Sequence, residues 1–143
     1  MNFACMDFIG MQNSEKTFAK LMSWFGSQGL LRNSNFELAT IFYDSLKIIA
    51  PNEVRMSASI ILDNLIKSDN TVSAVSFPKG DYLIGHFEIG LEEFEQCWTL
   101  MFEQMNSGGS KKTDQPVFQL HHNNFKEHPE KKCFVVFYLP IKL

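Results

Sequence analysis

Apolar residues recur at two periods along this chain, and the alternation between those periods divides it into strands and helices. Asn2 to Gly10 alternates weakly and predicts a strand. Phe18, Leu21, Met22 and Phe25 then fall at i, i+3, i+4 and i+7, which is one face of a helix. Asn13-Ser14 offers that helix an N-cap, since either side chain can accept a hydrogen bond from an orphan backbone N–H. Gly26 and Gly29 end it. Leu38 to Tyr43 predicts a strand, Asp44 to Glu53 a connection containing Pro51, and Met56 to Leu62 a further strand. Beyond a polar break at Ser68-Asp69-Asn70, Thr71 to Ile89 predicts one long strand, with Pro78-Lys79-Gly80-Asp81 as a turn or bulge in its middle. Gly90 opens a second helix whose apolar stripe is Phe94, Trp98, Met101 and Met105. Ser107-Gly108-Gly109-Ser110 stops it and begins a flexible loop through Gln115. Two strands follow, Val117 to His122 and Cys133 to Leu139, joined by a polar and exposed hairpin from Asn123 to Lys132.

The pattern repeats. Placing Ile41-Phe42-Tyr43-Asp44 over Leu120-His121-His122-Asn123 pairs Thr40 with Gln119, 79 positions on. The helical stripes at Phe18 and Phe94 lie 76 positions apart. Two similar offsets predict one strand–helix–strand–strand unit used twice, about 1–67 and about 71–143. Neither half has enough faces to enclose a core alone. The expected fold is therefore α+β, with helices on one side of a mainly antiparallel sheet.

Bulk properties remove several function classes. The chain has 143 residues, 45% hydrophobic and 20% charged, which is the composition of one globular domain. Its net charge is −3 and no Lys/Arg run exceeds two residues, so it lacks the clustered cations of a nucleic-acid surface. No apolar run approaches the ~20 residues that span a bilayer. The first residues lack the basic and apolar regions of a signal peptide, so a cytoplasmic location is expected. Cys5, Cys97 and Cys133 are widely spaced and odd in number, which predicts buried reduced thiols. No Cys-x-x-Cys or His-x-x-x-His spacing is present, and His121 and His122 point to opposite faces of a strand, so no metal or cofactor is expected.

Five motifs in order carry a resemblance. They are Ile41-Phe42-Tyr43-Asp44, Pro51-Asn52-Glu53-Val54-Arg55, Pro78-Lys79-Gly80-Asp81-Tyr82 with Gly90, Pro116 to Asn124, and Val136-Phe137-Tyr138-Leu139-Pro140. Over essentially its whole length the chain resembles the GyrI-like small-molecule-binding family. That family includes bacterial stand-alone gyrase-inhibitor proteins and the effector-binding domains of AraC-type and multidrug-responsive MerR-type regulators. The resemblance implies two βαββ repeats related by a pseudo-two-fold, with a ligand cleft between them. It also implies a glutamate where this chain has Gln119, and a tyrosine where it has His121. In relatives that bind lipophilic cations that carboxylate supplies the counter-charge, and in relatives that hydrolyse strained molecules it supplies the acid. Glutamine keeps the shape but cannot ionise or take a proton, so hydrolysis is not expected.

By strand alternation Val117, Gln119 and His121 share a face, as do Leu38, Thr40 and Phe42, and the six are expected to line one cleft. The alternative is that Gln119 bonds backbone in a filled core. Trp98 and Phe102, at i and i+4, are candidates for a wall on which a planar or cationic ligand stacks. Tyr43, Tyr82 and Tyr138 join them because a buried phenol needs a partner for its hydroxyl. His86 is a second histidine able to titrate near neutrality, and Asp44, Glu53 and Glu88 are the acidic residues nearest the expected rim. The expected function is a stand-alone binding protein for a lipophilic aromatic compound, cationic or neutral, acting in drug binding or sequestration. With the match starting in the first ten residues, no DNA-binding domain and no direct nucleic-acid contact are expected. The alternatives are inhibition of a protein partner such as gyrase, service as an effector module to a separate regulator, and, behind these, weak hydrolysis.

Overall fold

A computed structural model describes residues 2–28, 37–45, 48–62, 71–77, 80–90, 93–121 and 132–142, the side chain of Cys133 aside. The chain forms two compact units, Met1–Lys79 and Gly80–Leu143. The first contains β1 (Asn2–Ile9), α1 (Ser14–Ser27), β2 (Glu37–Phe42), β3 (Arg55–Leu62) and β4 (Ser73–Ser76). The second contains β5 (Asp81–Ile89), α2 (Phe94–Ser107), β6 (Lys111–Lys112), β7 (Val117–His121) and β8 (Cys133–Lys142).

Both units follow one topology. In the first, β3 lies antiparallel between β1 and β2, with Cys5 opposite Ser59 and Thr40 opposite Ala58. In the second, β8 lies antiparallel between β5 and β7, with Gly85 opposite Phe137 and Gln119 opposite Phe137. The last strand of each repeat thus inserts between the other two. The class is α+β, built from two βαββ repeats.

The core of the first unit is what the helical stripe predicts. Leu21 and Phe25 of α1 are fully buried against Ala4, Met6, Ala58, Ile60 and Val72, with Phe18, Met22 and Leu38 packed at the margin. On the second helix Trp98, Met101 and Met105 are buried, and Cys97 with them. Gly85 lets α2 approach closely. A Cβ there would lie 2.6 Å from Met101 Sδ and 2.7 Å from the Phe87 ring.

Four expectations change. Asn13 stands at the N-cap of α1, but its side chain caps nothing and donates to the Ile9 carbonyl at 2.8 Å. A 3-10 turn, Met11–Asn13, precedes the helix and puts Asn13 near φ −94°, ψ 1°, outside the extended backbone that a capping side chain needs. Gly26 lies inside α1, which runs on to Ser27. The long strand from Thr71 to Ile89 is two strands with different partners, because β4 bonds to β1 while β5 bonds to β8. The loop after α2 contains β6, whose Lys111 and Lys112 pair with Lys142 and Ile141 at the end of a β8 longer than expected. Gly29, the Ser68-Asp69-Asn70 break, Pro78-Lys79, His122 and the hairpin over residues 123–131 lie outside the described residues.

Gly10 holds the turn into the first helix. Its φ is +90°, its N–H donates to Val54 O at 2.9 Å, and a Cβ would meet the Asn52 carbonyl oxygen at 2.7 Å. Backbone strain and a clash with fixed backbone act together, so Gly10→Ala is expected to cost about 1–3 kcal/mol. Thermal unfolding should show a fall of roughly 4–12 °C.

Candidate functional site

Strand register sorts the candidate residues of the second unit onto two faces. Gln119 and Phe137 are direct partners across β7 and β8, so they share a face, and His121 lies on it opposite Val135. Val117 joins them by alternation. Phe137 marks this as the side covered by α2, since its ring stacks on Trp98 at 4.3 Å with the planes only 4° apart. Phe87 and Phe94 bring their rings to 5.2 and 5.9 Å from that of Phe137. Phe137 is 0% exposed and sits among three other rings. Phe102, on α2, is half-buried.

Gln119 is the buried polar member of this face. It is 5% exposed, and its Oε1 has no hydrogen-bond partner among the described residues. A buried carbonyl oxygen left this way costs about 1–3 kcal/mol. Such a group is rare enough in a native fold to need a reason.

Tyr82 and Tyr138 lie on the opposite face of β5 and β8. Tyr138 stacks on Phe118 at 4.7 Å, and Tyr82 meets both rings edge-on at 5.9 and 5.8 Å. Burial raises the Tyr82 phenol above its ordinary pKa. These two tyrosines are thus grouped with each other and not with Gln119.

The first unit repeats the division. Leu38 packs against the α1 cluster, and Thr40 and Phe42, both buried, follow it by alternation. Tyr43 faces the other way, 40% exposed. Its hydroxyl lies 3.0 Å from Ser57 Oγ, and Ser57 in turn donates to Asp7 Oδ1. Since the serine hydrogen goes to the carboxylate, Tyr43 is the donor to Ser57. Next along the same face, Ser59 donates to Cys5 Sγ at 3.2 Å, and burial pushes the Cys5 thiol up to about 11. Cys5 and Cys97 are both buried free thiols.

The expected rim acids are accounted for separately. Asp44 accepts from the Arg55 backbone N–H at 3.0 Å and from its guanidinium at 2.8 Å, which holds the Asp44 carboxyl below its ordinary range. Glu53 and Glu88 are exposed, as is His86.

Phe137 is the residue that the pattern alone passed over. It stands in one of the five quoted motifs, but only the pairing of β7 with β8 puts it beside Gln119.

The GyrI-like small molecule binding domain family matches residues 7–142. No curated protein matches the chain in sequence. Among solved structures, the EcmrR C-terminal domain superposes with a TM-score of 0.74 at 9% identity, covering 99% of this chain and 90% of that one. A hydrolase from Listeria innocua gives 0.64 at 13% identity, covering 99% and 87%. The protein SAV2435 bound to tetraphenylphosphonium gives 0.53 at 8% identity, covering 99% and 88%. At such identities these likenesses are likenesses of fold.

Proposed function

The chain belongs to the GyrI-like small-molecule-binding domain family, and we propose that it binds a lipophilic aromatic compound against the α2 side of its second repeat, as a receptor or sequestering protein. The observation that carries this reading is the buried Gln119 amide, its oxygen without a hydrogen-bond partner among the described residues, beside the Phe137–Trp98 stack. A mostly apolar site with few polar groups is what holds and orients a small organic molecule. The tetraphenylphosphonium complex of the structural neighbour SAV2435 supports an aromatic ligand as the class to try first.

The reading is of binding without catalysis. Gln119 cannot serve as general base or acid, and its same-face neighbours on β7 and β8, Val117, His121, Val135, Phe137 and Leu139, include no carboxylate. No helix among the described residues is long and apolar enough to cross a membrane.

A thermal-shift panel of lipophilic cations, tetraphenylphosphonium included, and neutral aromatic compounds tests this reading. Ligand at ~100 times its dissociation constant should stabilise the fold by about 2.7 kcal/mol, an upward shift on the order of 10 °C. Trp98→Ala should remove the ligand-induced shift, measured against its own unliganded melting temperature. A panel with no shift in the native protein would sink the proposal and turn attention to protein partners, gyrase first.

A further inference from the structure

Resting on the ligand site proposed above, we infer that its ligand carries a hydrogen-bond donor, an N–H or O–H on an otherwise apolar planar body, and that it binds in neutral form through Gln119 Oε1. A carboxylate at this position would attract any lipophilic cation, whether or not that cation has a hydrogen to give. An amide does not. Its oxygen is a neutral acceptor, strong for a directed N–H or O–H and weak for a diffuse positive charge. Gln119 is 95% out of contact with solvent, and its oxygen has no hydrogen-bond partner among the described residues.

The groups beside it explain why the need goes unmet. Its cross-strand partner Phe137 is a hydrocarbon ring already engaged with Phe87, Phe94 and Trp98, Val117 on the same face has nothing to donate, and neither His121 on that face nor the Trp98 indole N–H bonds the oxygen. A ligand lacking a donor would leave the oxygen as it is. One bearing a donor would gain a bond in apolar surroundings, where water does not compete and the interaction is at its strongest. Selectivity for an N–H over its methylated analogue therefore follows, because a buried polar group discriminates strongly against a partner that cannot pair with it.

Acridone and N-methylacridone form a suitable matched pair, both planar, neutral and fluorescent, differing in the one N–H. Titration by fluorescence anisotropy should give acridone the lower dissociation constant by roughly tenfold or more. Gln119→Met, which keeps length and volume, should make the two bind alike. Loss of the oxygen itself should cost that variant little stability, since replacing an unsatisfied buried polar group by an apolar one of similar shape is close to neutral. Equal binding of the pair to the native protein would overturn the donor inference and leave the small-molecule site standing. A preference that survives in Gln119→Met would overturn it too, by assigning the contact to another residue. Failure of both compounds to bind at all would instead overturn the aromatic-site reading from which the inference starts.

Discussion

Phe137→Ala should lower stability by about 3–5 kcal/mol, the largest loss expected from truncating a single apolar side chain in this protein. The ring is fully buried, stacks on Trp98 at 4.3 Å, and touches two further rings from β5 and α2. Removing it deletes the transfer free energy of an aromatic side chain and leaves a cavity ringed by rigid planar groups that cannot collapse into it. For a domain of this size the melting temperature should fall by roughly 10–20 °C. Phe137→Leu refills most of that volume and should recover more than half of the loss. A drop of only a few degrees for Phe137→Ala, read by thermal or denaturant unfolding, would contradict the placement of this ring at the centre of the second core.

Gln119→Glu should have the second large effect, and its sign depends on pH. A glutamic acid at a site this buried, with no donor at its oxygen, has its folded pKa raised above the unfolded value of about 4.3 by desolvation. Below about pH 4 the group is protonated in both states, and the variant should be nearly as stable as the native protein. As pH rises past the unfolded value the unfolded chain ionises first, and stability falls until the folded pKa is passed. With a raised pKa of two to three units, the deficit at high pH reaches about 3–4 kcal/mol. Denaturant unfolding at pH 4, 6 and 8 measures it directly. A lipophilic cation should relieve part of the deficit by supplying the missing counter-charge, so the variant should gain more from a cationic ligand than the native protein does. A loss independent of pH would show that the new carboxyl reaches solvent or a partner, which would argue against the buried position of Gln119.

Much of this was legible in the chain. Period-3.6 stripes at Phe18–Phe25 and Phe94–Met105 determine two helices and the faces they bury, because burial of an apolar stripe outweighs every weaker local preference. Alternation at Leu38–Phe42 and Val117–His121 fixes which side chains share a face, since a strand turns each residue opposite to the last. The repeat was visible as well, and with the ordered motifs it pointed to the GyrI-like family.

Local pattern does not contain strand pairing. Whether residues 71–89 form one strand or two depends on β4 bonding to β1 and β5 to β8, contacts made over distances in sequence that no short window spans. The same limit hid Phe137, which becomes part of the candidate site only when β8 pairs with β7 and sets it opposite Gln119. Choosing Tyr43, Tyr82 and Tyr138 by residue type, without register, mixed the two faces of the strands in each unit. The composition and spacing of this sequence by themselves determined both helices, most of the strands, the repeat and the polar residue to watch. Only the tertiary structure decided that the oxygen of Gln119 is buried with no partner among the described residues, because desolvation is a property of everything packed around an atom and not of the residue that carries it.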